Sequence, residues 1–141
     1  MARVFNPAHE RSRRRHALRH ALEPFRRELG GIPFTEIAEI ARPKPEAQYA
    51  MVHADYDYSA NVPLADLMRP TTLFALKHNG EPLPLDHGYP VRLVVPHLYA
   101  WKSVKWVRGV EFLQRDAPGF WERNGYHIYG DPFREQRYSR D

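Results

Sequence analysis

A chain of 141 residues, 43% hydrophobic and 13% aromatic, is long enough to close one compact domain around a core. The absence of cysteine excludes a disulfide framework, a thiolate-bound zinc or iron–sulfur centre and a cysteine nucleophile. The net charge of +4 sits at one end: residues 1–30 hold eight arginines against three glutamates, and the rest is close to neutral.

No apolar run approaches the ~20 residues needed to cross a bilayer, and the N-terminus lacks a secretory pattern, so a cytoplasmic location is expected. Thirteen prolines and eight glycines, set among many aromatic residues, predict short elements joined by rigid turns and an α+β class. Between Glu10 and Leu29, apolar Leu18, Leu22, Phe25 and Leu29 recur at helical spacing, but Pro24 interrupts the pattern. His16 and His20 stand four apart in that stretch without a third metal ligand placed beside them.

Beyond Gly30 and Gly31, a helix is predicted from Pro33 to Ala41, with Thr35 as its cap and Pro43 ending it. Tyr49 to Ala54 reads as a strand, Pro63 to Met68 as a short helix, and Leu73 to Lys77 as a second strand closed by a turn at Asn79 and Gly80. Val91 to Val95, bounded by prolines, reads as a buried strand that carries Arg92 inward and so demands an anion for it. Ser103 to Leu113 reads as the longest strand, with Val104, Trp106, Val110 and Phe112 on one parity and Gly109 available for a bulge. The aromatic tail from Phe120 to Tyr138 has no clean period and is expected to wrap over the core.

If the strands around Arg92 and Lys105 are neighbours, His87, Arg92, Ser103 and Lys105 converge. A planar guanidinium fork, an ammonium and two further donors make a site for a dianion such as a phosphate. The plainer alternative pairs Arg92 with Asp86, leaves Lys105 in solvent and makes His87 a turn residue. Asp55 and Asp57 are read as turn residues, not paired catalytic carboxylates.

The string His87-Gly88-Tyr89-Pro90-Val91-Arg92-Leu93-Val94-Val95-Pro96, followed by Lys102-Ser103-Val104-Lys105-Trp106, resembles the pterin-binding segment of the sulfite oxidase family. Tyr58-Ser59-Ala60-Asn61-Val62-Pro63-Leu64 is similar to the family segment that lines the cofactor pocket. The strings from Gly119 to His127 and from Gly130 to Arg134 are similar to the tail of its heme-free bacterial branch. The resemblance implies a molybdopterin cofactor, no heme, a terminal phosphate held by His87, Arg92, Lys105 and Ser103, and a pocket near Tyr58 and Asn61. It implies oxygen-atom transfer on a small-molecule substrate, sulfite or a sulfoxide among the candidates, with two electrons passed to an external acceptor.

By the same resemblance, residues 31–141 are the C-terminal part of a sulfite-oxidase-type molybdopterin-binding domain, incomplete on its N-terminal side. The family's metal-ligating cysteine, in a string close to His-Cys-Val-Thr-Arg-Trp-Ser, has no counterpart in this chain. Permissible codons for His16 to Leu29, read from the second base, spell that string. Residues 1–30 are therefore expected to be a basic leader translated out of frame, and the chain a truncated or frameshifted member. Two alternatives remain: a non-catalytic remnant, and a binding protein whose basic arm contacts nucleic acid with a steep salt dependence.

Overall fold

A computed structural model describes residues 29–141. The arginine-rich segment before Leu29, with its helical spacing and its His16 and His20 pair, lies outside the described residues.

The fold rests on two antiparallel sheets with a few short helices. In the first, β4 (Leu73–His78) pairs along one side with β1 (Leu29–Pro33), and also carries β5 (Glu81–Pro82) and β6 (Arg92–Val94). In the second, β2 (Tyr49–Ala54) lies between β3 (Ser59–Pro63) and β7 (Val107–Leu113). Helix α1 (Phe34–Ala41) follows β1, and α2 (Leu64–Leu67) follows β3. The turn after β4 places Asn79 at φ 51° and Gly80 at φ 78°, the left-handed pair that a tight two-residue hairpin needs.

Alternation along the second sheet sets its core face. Val62, Ala50 and Phe112 form one row of register partners, and Ala60, Val52 and Val110 the next. These residues pack with Phe34, Leu67, Phe74, Leu93, Val95, Leu98 and Val104 into the main core. Phe34 joins the two sheets, its ring 5.7 Å from that of Phe74 and 6.5 Å from that of Phe112.

Three sequence expectations change. Thr35 does not cap α1: Pro33 occupies the N-cap position without a side-chain bond, and the helix ends where Arg42 turns left-handed and its N–H reaches the Ala38 carbonyl. The long strand expected from Ser103 begins at Val107, because Ala100–Lys102 form a 3₁₀ turn and Trp106 stands at φ 54°, which no strand accommodates. Arg92 does not point into the main core, since Leu93 does, and alternation sends Arg92 to the opposite face. Three strands go beyond the sequence expectations: β1, β3 and the two-residue β5. The sequence marks β3 only as a pocket segment, and its composition assigns Leu29 and Gly30 of β1 to the leader, yet these two pair with His78 and Lys77.

The expected bulge is present: His53 pairs with Gly109 and Ala54 with Val107, leaving Arg108 as the extra residue. The tail is ordered as expected. A short α3 (Phe120–Arg123) and a bridge between Tyr126 and Tyr138 hold it against Trp101 through edge-on and tilted rings. Among the described residues, no helix is long and apolar enough to cross a membrane.

Candidate anion and cofactor site

Arg92, Lys105 and Gly88 meet at the end of the first sheet. The connection from Val91 to Val107 folds back on itself, with the Leu93 N–H donating to the Val104 carbonyl at 2.8 Å and the Val107 N–H to the Val91 carbonyl at 3.0 Å. This brings β6 beside the 103–107 segment and sets Arg92 and Lys105 on either side of Gly88. A side chain at Gly88 would stand 3.1 Å from the Arg92 Cβ and 3.2 Å from the Lys105 Cβ, and the residue's φ of +115° suits glycine alone. Lys105 donates to the Asp86 carbonyl at 2.9 Å, and the Trp106 indole donates to the Leu85 carbonyl at 2.7 Å, which ties the 3₁₀ turn Leu85–His87 to the same segment.

Arg92 is half-buried and its Nε is buried without a hydrogen-bond partner. Burial pulls its guanidinium below the ordinary arginine value, and among the described residues no carboxylate opposes that pull. The plainer pairing with Asp86 is not formed, since that carboxylate is 81% exposed and lies 3.9 Å from the His87 ring. His87 is exposed at the end of its turn. Ser103 serves the backbone: its Oγ accepts from the Val95 N–H at 2.9 Å. Thus Arg92, Lys105 and the turn ending in His87 gather at Gly88, with Ser103 supporting the strand behind them. An orphaned guanidinium nitrogen next to a glycine cradle and a second cation suits a phosphate dianion.

Tyr58 and Asn61 belong to a second, buried group. The Tyr58 hydroxyl donates to the Trp101 carbonyl at 2.6 Å, and burial beside Glu122 pushes its ionisation far above the usual phenol value. Asn61 is fully buried, donating to Asp116 Oδ1 at 2.7 Å and to the Ile128 carbonyl at 3.1 Å. At the centre is Lys102, 0% exposed and not singled out by the sequence. Its Nζ reaches the Asn61 carbonyl and Asn61 Oδ1, each at 2.8 Å, the Ile128 carbonyl at 2.7 Å and Glu122 Oε1 at 2.6 Å.

A third cluster braces the region. Asp66 Oδ1 accepts from His97 Nε2 at 2.8 Å and from the Tyr129 hydroxyl at 3.0 Å, and forms an ion pair with Arg69 at 3.3 Å. Burial alone would raise the Asp66 carboxyl, but the hydrogen bonds from His97 and Tyr129 outweigh it and the net shift is downward. A carboxyl whose folded-state value lies below its unfolded value stabilises the fold at higher pH, and that contribution disappears as pH falls through the folded value. The melting temperature should therefore drop as acid is added below the ordinary aspartate value of 3.8. Asp66→Asn should cost about 2 kcal/mol at neutral pH and flatten that acid limb. Melting curves from pH 6 to pH 2 check this, and an equally steep acid limb in the variant would refute it.

Beside the anion site opens a cleft of about 710 Å³ lined by Tyr56, Leu85, Tyr89, Pro90 and Trp106, with Asp55 and Arg108 paired at 2.7 Å on its rim. Asp55 therefore serves as a partner for Arg108. Among the described residues, no group of three or more His, Asp or Glu stands ready to hold a metal ion.

The family model described as the oxidoreductase molybdopterin binding domain matches residues 24–121. The chain is 51% identical over 111 residues to the protein named uncharacterized oxidoreductase YuiH of Bacillus subtilis (strain 168), covering 79% of this chain and 56% of that protein. It is 42% identical over 71 residues to mitochondrial sulfite oxidase of Homo sapiens, 49% of this chain and 13% of the enzyme. Its fold matches the sulfane dehydrogenase SoxCD from Paracoccus pantotrophus with a TM-score of 0.59 and 29% identity, over 67% of this chain and 24% of that one. The chain thus spans about half the length of the Bacillus relative and a small part of the enzyme.

Proposed function

We infer the function from one premise: this chain belongs to the oxidoreductase molybdopterin-binding domain family, whose cofactor is molybdopterin. We propose that the site around Gly88 holds the terminal phosphate of that cofactor, with Arg92 as the bidentate anchor, Lys105 as a second cation and His87 as an outer donor. Ser103 acts by fixing the strand behind Arg92. The observation that carries this reading is the buried Arg92 Nε without a partner, beside a glycine whose missing side chain lets the stems of Arg92 and Lys105 come together. Tyr58 and Asn61 form the wall behind the segment that ends in Lys105.

Held by Arg92, Lys105 and His87, the bound group would supply two-electron redox chemistry with oxygen-atom transfer, and an external acceptor would take the electrons. These residues bind and orient it. The chain contains no cysteine, so we propose that any thiolate to the metal comes from outside this sequence. We also propose that the leader, in the residues before the family match begins at 24, is translated outside the family's frame. Genomic sequence upstream of Gly31 whose codons forbid the cysteine string would remove that part of the reading.

Binding is tested on the chain as it stands. Produced in a host that makes molybdopterin, it should carry a phosphorylated pterin, released on denaturation and detected by fluorescence, and inorganic phosphate should compete for its site. Purified protein free of pterin, with no heat of binding on phosphate titration, would refute the assignment.

A further inference from the structure

We propose that Lys102, acting through a buried pair with Glu122, is a positioning residue for the anion site. The inference rests on the phosphate-site reading above, and it concerns a residue that does not itself reach the anion.

Lys102 stands three residues before Lys105. Its ammonium is fully enclosed and lies within hydrogen-bond distance of four acceptors from three separate parts of the chain: both oxygens of Asn61 on β3, the Glu122 carboxylate on α3 and the Ile128 carbonyl in the tail. An ammonium has three protons, so one of them is shared. Burial lowers its proton affinity, and Glu122 and Asp116 oppose that effect in part, so the net shift is downward. Glu122 Oε1 also accepts from the Trp101 indole at 3.1 Å. The 3₁₀ turn Ala100–Lys102 is therefore pinned by its own side chains to β3, α3 and the tail.

Beyond that turn the segment is held by Val104 in the core, by the Leu93 N–H on the Val104 carbonyl and by the Trp106 indole on the Leu85 carbonyl, and Lys102 fixes the end from which it enters. Ser103 to Trp106 lie outside any strand, and Lys105 makes its one hydrogen bond among the described residues to the Asp86 carbonyl. The interior tie at Lys102 and the bond from the Val95 N–H to Ser103 Oγ together set where Lys105 leaves the core. A buried ion pair adds little to net stability compared with apolar residues of the same size, but it fixes geometry between the elements it joins. Here those elements are the tail and the strand connection that carries the second cation of the site.

Single substitutions at this pair would strand a buried charge, so the informative variant is the neutral double Lys102→Met/Glu122→Gln, in which the amide oxygen still accepts from Trp101. Inorganic phosphate is titrated into the full chain by calorimetry, well below the melting temperature. Four proteins are compared: the wild type, the double variant, Lys105→Ala, and all three substitutions together. Affinity should fall about tenfold in the double variant, the size of one lost charge-assisted hydrogen bond. The same double substitution should cost almost nothing further in the Lys105→Ala background, because its effect passes through Lys105. Unchanged phosphate affinity in the double variant, whatever its melting temperature, would make the pair merely structural and overturn the proposal. An equal loss in both backgrounds would also overturn it. If the wild type fails to bind phosphate, the anion-site reading itself falls and takes this inference with it. An unfolded double variant would overturn it as well, by showing that the pair supports the whole domain and not one segment.

Discussion

Replacing Arg92 with methionine should weaken phosphate binding about a hundredfold, within the range seen when one partner of a buried charge pair is removed. The same substitution should raise the melting temperature of the ligand-free protein by a few degrees, corresponding to about 1 kcal/mol. The two effects have one cause. Without a ligand the guanidinium is half withdrawn from water, its Nε is buried without an acceptor, and no carboxylate among the described residues compensates for the lost hydration. Methionine fills similar space without that deficit. When a phosphate is present, the guanidinium offers two parallel donors and the deficit becomes binding energy. Arg92→Lys should fall between, keeping charge but losing the planar fork. Calorimetric titration with phosphate and melting without it read the two arms separately. A methionine variant that binds phosphate like the wild type would remove Arg92 from the site. One that binds poorly and also melts lower would show that Arg92 is a structural residue.

The residues proposed to hold the anion could be singled out in the sequence because their signals are short and local. His87, Gly88 and Arg92, followed by Ser103 and Lys105, allowed an anion site beside a plainer pairing, and the resemblance of their strings to a pterin-binding segment favoured it before any strand was paired. The turn at Asn79 and Gly80 and the strand from Tyr49 were legible for the same reason, since two-residue hairpins and strict alternation leave marks within a few positions. The features that escaped depend on contacts distant in sequence. Lys102 and Lys105 look equivalent in a string of alternating residues, and only the 3₁₀ turn and the tail folding over β3 bury the first and leave the second at the site. Glu122 lies in a stretch with no period, and nothing nearby indicated that its partner would be twenty residues upstream. Trp106 matched the parity of the core strand, yet its left-handed backbone and its bond to the Leu85 carbonyl turn it toward the cleft. Strain of this kind, which costs of order 1 kcal/mol at a bulky residue, leaves no trace in a hydrophobic pattern.

Gly31→Ala should produce the largest loss of stability of any single methyl added to the described residues, about 3 kcal/mol or more, lowering the melting temperature by more than about 10 °C. A Cβ at this position would press against the Phe74 carbonyl, 2.8 Å from its carbon and 2.9 Å from the Ala75 Cα, and backbone of a central strand cannot step aside as a flexible side chain does. Gly31 is the register partner of Ala75, and Ala75 is the partner of Arg92 across the other edge of β4. Displacing β1 therefore disturbs the row that ends at the anion site, and phosphate affinity should fall along with stability. The neighbouring Gly30→Ala is the control, because its Cβ would meet only the Lys77 Cβ at 3.4 Å, an ordinary contact. The comparison also tests the boundary of the fold, since the composition of the leader runs through Gly30 whereas the pairing with β4 begins at Leu29. If Gly31→Ala melts and binds phosphate like the wild type, β1 does not pair with β4 in solution and the fold begins at α1. If it melts as expected while Gly30→Ala does not, the residues just before α1 are under the constraint of the sheet, whatever the origin of those that precede them.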